Sequence, residues 1–173
     1  MNVDRINHLK RILYAVQDFM DAHPEHYVES EHISNVFDLT YWVHDNVTHN
    51  IYNNRTAFLS IDDSGFVVTE PATEFDQLIQ CGTTCCALGW ACLDPHFQEE
   101  GLYIRTDDDV PTFEDKIGCK AAATFFDISF DQATRVFIPE SYEPFFEELN
   151  LKRPEDIQPK HVIDRINELL LQG

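Results

Sequence analysis

Positive charge is scarce in this sequence. Twelve Lys and Arg stand against 31 Asp and Glu, a formal net charge of -19 at pH 7. An excess of that size repels nucleic-acid phosphates and anionic lipid head groups, which argues against a direct DNA, RNA or membrane-surface binder. Long apolar runs are missing too, and no window approaches the roughly 20 residues of a membrane-spanning helix. The first residues, Met1 to Arg11, are polar and charged and hold no apolar signal core. There is no phosphate-binding glycine loop, no nucleophile elbow and no His-Glu-x-x-His pair. Internal repeats, low-complexity tracts and long linkers are likewise missing. The cysteine count is 5, an odd number with no export signal before it. These absences predict a soluble cytoplasmic protein (in the host cytoplasm if phage-encoded) that keeps its thiols free.

What remains is the composition of a folded globule. The 173 residues suit one domain, 1–173, and they are 43% hydrophobic and 12% aromatic. Phenylalanine alone accounts for 13 positions, so an aromatic-rich core is expected. The acidic residues crowd the middle of the chain. Between Thr56 and Asp115 there are thirteen Asp or Glu and one base, Arg105. Such a run either keeps a surface solvated or presents a patch to a partner.

Val3, Ile6, Leu9, Leu13, Val16 and Met20 recur at helical spacing, with Ile12 and Phe19 widening the stripe, and predict a first amphipathic helix ended by His23-Pro24. Ser30 to Trp42 is expected to be helical in part, with Ile33, Val36, Phe37, Leu39 and Trp42 buried. Residues 58–69 read as a β-hairpin around Asp62-Asp63-Ser64-Gly65, and 102–105 as a third strand. A helix from Cys85 to Leu93, capped by Thr83 or Thr84 and closed by Asp94-Pro95, follows the loop at Gly82. Gly89 inside it would normally destabilise, so it is expected to mark close approach of another backbone. Lys116 to Phe126 predicts a short helix. Ser129 with Gln132 three residues on forms a capping box for the next. The last helix starts near Pro159 and ends at Gly173. The predicted class is α+β, mainly α, with a small antiparallel hairpin or three-stranded sheet inserted near 58–69 and 102–105.

One segment stands out. Cys81-Gly82-Thr83-Thr84-Cys85-Cys86-Ala87-Leu88-Gly89-Trp90-Ala91-Cys92 holds four cysteines in twelve residues. It lies between Phe37-Asp38-Leu39-Thr40-Tyr41-Trp42 and Ala121-Ala122-Ala123-Thr124-Phe125-Phe126-Asp127-Ile128-Ser129, with Gln132-Ala133 and Val136-Phe137 after it. In that order these segments resemble a group of small uncharacterised proteins of bacteriophage and bacterial genomes. Members of the group show FD-[ML]-x-x-W, then CGT-x-x-C-x-x-GWA, then A-x-x-[LF][LF]-x-[IL]-[ST]-x-x-QA-x-x-[LF]F. The resemblance implies a shared fold and a phage-like setting, and carries no activity with it. The chain departs from the group by the acidic insert around the hairpin and by the additional Cys86 and Cys92.

The cysteines admit three readings. Cys81, Cys85 and Cys86 with His96, Cys92 or Cys119 could supply zinc ligands, yet no second clean pair completes the spacing of a structural site. A thiol at a helix N-terminus has a lowered pKa, which makes Cys85 or Cys86 a candidate nucleophile. The papain-like pattern nonetheless fails, since Trp90 does not follow the cysteine directly and His161 lies on an apolar helix face. The third reading is a tightly packed turn in which Gly82, Thr83, Gly89, Trp90 and Trp42 are structural. Asp107-Asp108-Asp109 with Glu114 and Asp115 offers hard oxygens but lacks the calcium-loop spacing.

The reading these residues favour is an acidic binding protein of phage type acting on a bacterial protein with a basic surface. Its sharper form is a DNA mimic, an inhibitor of a defence system in which carboxylates stand in for phosphates. The candidate contact residues are Asp62, Asp63, Glu70, Glu74, Asp76, Glu99, Glu100, Asp107, Asp108 and Asp109. No cofactor is expected on this reading. The alternative is a small zinc- or thiol-dependent enzyme or regulator centred on Cys81, Cys85 and Cys86. A module that packs only with copies of itself is a third class.

Overall fold

A computed structural model describes residues 1–22, 37–39, 42–45, 59–61, 67–69, 83–105 and 109–172. The architecture is mainly helical with small antiparallel sheets. Helix α1, Val3–Ala22, buries Ile6, Leu9, Ile12, Leu13, Val16 and Met20 along one stripe, which is the 3.6-residue period made physical. Val3 and Phe19 flank that stripe, the first exposed and the second half-buried. Asn2 caps the helix by accepting from the backbone N–H of Arg5 at 3.1 Å.

Helix α2, Ala87–Leu93, is buried over its whole length. A helix that is small and apolar all round can sit only inside a core. Asp94 ends it and begins α3, Pro95–Glu99, accepting from the N–H of Phe97 at 3.1 Å with Pro95 in the first turn. Helix α4 is Gly118–Phe126 and α5 is Phe130–Phe137. A 3-10 segment, Pro139–Phe145, leads into the single turn α6, Phe146–Leu149. The terminal α7, Pro159–Gln172, packs against α1 more extensively than against any other described helix.

Among the described residues three sheets accompany the helices. Strands β1, Val43–Asp45, and β4, Thr83–Cys85, pair antiparallel. So do β2, Leu59–Ile61, and β3, Val67–Thr69. The third sheet runs β5-β6-β7, with β5 Leu102–Arg105, β6 Val110–Phe113 and β7 Lys116–Ile117.

The core is aromatic at its centre. The rings of Phe97 and Phe125 meet edge to face at 5.1 Å, Phe125 and Phe126 do so at 5.0 Å, and Phe126 stacks on Phe137 at 5.8 Å. Each such pair adds roughly 1 kcal/mol beyond burial of its area. Tyr142, fully buried, donates its hydroxyl to the carbonyl of Val136 at 2.9 Å. That bond fastens the 3-10 segment to the end of α5 without orphaning the phenol.

Several elements stand where the sequence placed them. The hairpin around 58–69 is present as β2 and β3, and the capping box of α5 has both bonds, Ser129 Oγ accepting from Gln132 N at 3.1 Å and Gln132 Oε1 from Ser129 N at 2.8 Å. Three details differ. The strand at 102–105 pairs with Val110–Phe113 and lies in a different sheet from the hairpin. The predicted helix from Lys116 begins two residues later, because Lys116 and Ile117 pair with Phe113 and Thr112 and Gly118 turns the chain at φ 55°. Neither Thr83 nor Thr84 caps α2, since both belong to β4, and the cap falls to Cys86. Of the stretch predicted helical from Ser30 to Trp42, residues 37–39 and 42 are described and are not helical. Phe37 and Leu39 are buried as expected.

Candidate functional site

The cysteine segment is built around a change of direction. Cys85 ends β4, pairs with Val43 and bridges to Phe37 on its other side. Cys86 then breaks into α2, and its Sγ accepts the backbone N–H of Gly89 at 3.3 Å. A thiol here takes the place a hydroxyl or carboxylate usually fills at a helix start. Cys85, Cys86 and Cys92 are all fully buried and Cys119, on α4, is half-buried. Cys81 and Gly82 lie outside the described residues.

Burial decides the chemistry of these thiols. It pushes Cys86 up to about 12, although the N–H groups of Gly89 and Leu88 pull the other way. Cys92 is pushed up by the same cause, and Cys119 to about 11. The expectation that the helix N-terminus lowers the pKa of Cys86 is therefore overturned: loss of water outweighs two backbone donors. The candidate ligand His96 does not join the cysteines. It lies exposed on α3, with Nε2 3.0 Å from Oε1 of Glu100. Among the described residues no group of three or more His, Cys, Asp and Glu is arranged to hold a metal ion.

The small residues of α2 serve packing. At Gly89 the backbone carbonyl of Trp42 occupies the space a Cβ would need, which is the close approach the sequence predicted. Trp90 is fully buried, and Trp42 packs partly buried against the same core as Phe37.

A polar clasp joins α1 to α3. Arg5 donates through Nε to Glu100 Oε2 and through Nη1 to the carbonyl of Phe125, each at 2.5 Å, and its guanidinium lies 4.1 Å from the centre of the Phe125 ring. One turn on, His8 Nε2 is 3.0 Å from Asp94 Oδ1 and its Nδ1 is 3.0 Å from Arg11. The arginine can only donate, so the imidazole accepts at Nδ1 and donates from Nε2 to the carboxylate. The rings of His8 and His96 meet at 4.9 Å. The sequence signal for this clasp is the Arg5, His8, Arg11 spacing on one helix face, with Asp94, His96 and Glu100 on the segment that meets it.

The candidate contact residues are divided by this geometry. Glu99 is exposed, whereas Glu100 is engaged by Arg5 and His96. Asp109 is half-buried with a left-handed backbone at φ 55°. Asp62, Asp63, Glu70, Glu74, Asp76, Asp107 and Asp108 lie outside the described residues. A second acidic stretch was missed: Glu140, Glu143, Glu147 and Glu148 are all exposed, and no Lys or Arg occurs between Arg135 and Lys152. Phe145 in the same stretch is 38% exposed and is covered on one side by Arg165, whose guanidinium is 4.1 Å from the ring centre.

Among the described residues no helix is long and apolar enough to cross a membrane. Compared with protein-family models, with curated proteins and with solved structures, the chain matches none of them.

Proposed function

We propose that the chain is an acidic binding protein of phage type that docks its carboxylates on a basic surface of a bacterial protein. One observation carries the reading. The net charge is -19, and exposed carboxylates such as Glu99, Glu140, Glu143, Glu147 and Glu148 face water with few cations between them. Charge of one sign spread over a folded surface raises the rate of encounter with an oppositely charged groove and weakens with salt. In the sharper form the groove is one that otherwise holds DNA, and the chain inhibits its owner by occupying it. The cysteine segment then serves as the scaffold, since its described thiols, Cys85, Cys86 and Cys92, are buried and burial raises the pKa values of Cys86 and Cys92.

The test is capture from bacterial lysate on immobilised full-length chain at low and at high salt, followed by competition with a duplex DNA fragment. The expected result is a basic partner held at low salt, released at high salt and displaced by the duplex. A partner held equally at both salts and indifferent to the duplex contradicts the reading. So does a stoichiometric metal in protein purified without chelator, which would restore the zinc alternative.

A further inference from the structure

Helix α7 starts with backbone N–H groups that have no acceptor within the helix. Two of them are satisfied in a way that depends on protonation and on α1. The N–H of Gln158 donates to Nδ1 of His161 at 2.9 Å, while the N–H of His161 returns to the carbonyl of Gln158 at 3.0 Å. His161 thus fills the position that Glu or Gln occupies in a capping box. The N–H of Lys160 donates across the seam to Oε1 of Gln17 on α1 at 3.2 Å, and Gln17 Nε2 donates onward to Asp21 Oδ1 at 3.0 Å. His161 and Gln17 are each only 9% exposed. Glutamine accepts at any pH, whereas imidazole accepts only when neutral.

We propose that His161 is an acid-sensitive latch, which holds the first turn of α7 and its contact with Gln17 closed only while its Nδ1 carries no proton. A proton on Nδ1 removes the acceptor for Gln158 and sets a cation at the positive end of a helix. The groups that face the imidazole set the direction. Burial lowers its pKa from the ordinary value of 6.5, Lys160 lowers it further and Asp164 opposes them. From α1, Gln17 bonds the N–H of the neighbouring Lys160 and passes on to Asp21. Helix α5, also packed on α7, carries Asp131 and Arg135, both exposed. Because the folded state holds the proton less tightly than the unfolded one, the stabilisation is full above the ordinary value and is lost as pH falls below it. The device stands apart from the acidic surface and does not depend on the binding reading.

The experiment follows the full-length chain by NMR from about pH 8 to pH 5, across the ordinary histidine range. It records the His161 ring signals and the exchange of the Lys160 and His161 amides, corrected for the intrinsic pH dependence of exchange. In the wild type the ring is expected to titrate below its ordinary value, and protection of both amides to fall roughly tenfold as it does so, the size of a lost cap. In His161→Gln, which accepts at every pH, protection is expected to stay level. Protection that falls equally in His161→Gln overturns the latch, as does a wild-type ring that titrates at or above its ordinary value. If His161→Gln does not fold, the wild type decides alone: amide protection that holds while the ring takes up its proton overturns the latch, and protection lost in step with it supports the latch.

Discussion

The carbonyl of Trp42 lies against the α-carbon of Gly89, where any other residue would carry its side chain. The neighbour is backbone, which cannot swing aside. Even Gly89→Ala must push β1 away from α2, despite the better helix propensity of alanine. A loss of about 1–3 kcal/mol, the usual size of overpacking, is expected from denaturant unfolding. Unchanged stability would mean that the two segments do not meet here.

Why that contact was legible and others were not comes down to range. Gly89 is a residue out of place in a helix, and Ser129 with Gln132 closes its box within one turn, so both announce themselves locally. The cap of α2 does not. Thr83 and Thr84 are better caps than cysteine by type, but pairing with His44 and Asp45 draws them into a strand. Nothing local specifies a partner forty residues away. Strand β6 was hidden by Pro111, a residue that argues against a central strand. The short β7 reaches only Thr112 and Phe113, so the ladder has a single partner at Pro111 and tolerates it. The clasp of Arg5 and His8 was only half legible, since its donors share one helix face whereas its acceptors lie at the ends of α3 and on α4.

The thiols give a second prediction. With Cys86 raised from 9.0 to about 12, its thiolate fraction near neutral pH is about a thousandfold below that of an unperturbed cysteine. In the native protein Cys85, Cys86 and Cys92 are expected to stay unlabelled by iodoacetamide, with Cys119 slow, and all to react once denaturant is added. Peptide mass mapping reads this directly. Rapid labelling of Cys86 in the folded protein would revive the nucleophile.

Arg5 tests the clasp. Arg5→Lys keeps the charge but cannot both bond Glu100 and the Phe125 carbonyl and cover the Phe125 ring. A loss of about 1–2 kcal/mol in unfolding free energy is expected, from a charge-assisted bond and a cation–π contact that are both partly shielded. If lysine serves as well, the attraction is only a point charge and the α1–α3 contact is held by burial alone.

The decisive measurement concerns the acidic surface. Two variants separate its halves: one neutralises Asp62, Asp63, Glu70, Glu74, Asp76, Glu99, Asp107, Asp108 and Asp109 to the amides, the other Glu140, Glu143, Glu147 and Glu148. Affinity for the captured partner is measured for each, and for the wild type, across a range of salt. At least one variant is expected to bind about tenfold or more weakly and with a shallower salt dependence, because each lost carboxylate removes an attraction that ions would otherwise screen. Wild-type affinity and salt slope in both variants, with folding intact, would show that negative charge is not what this protein uses to bind.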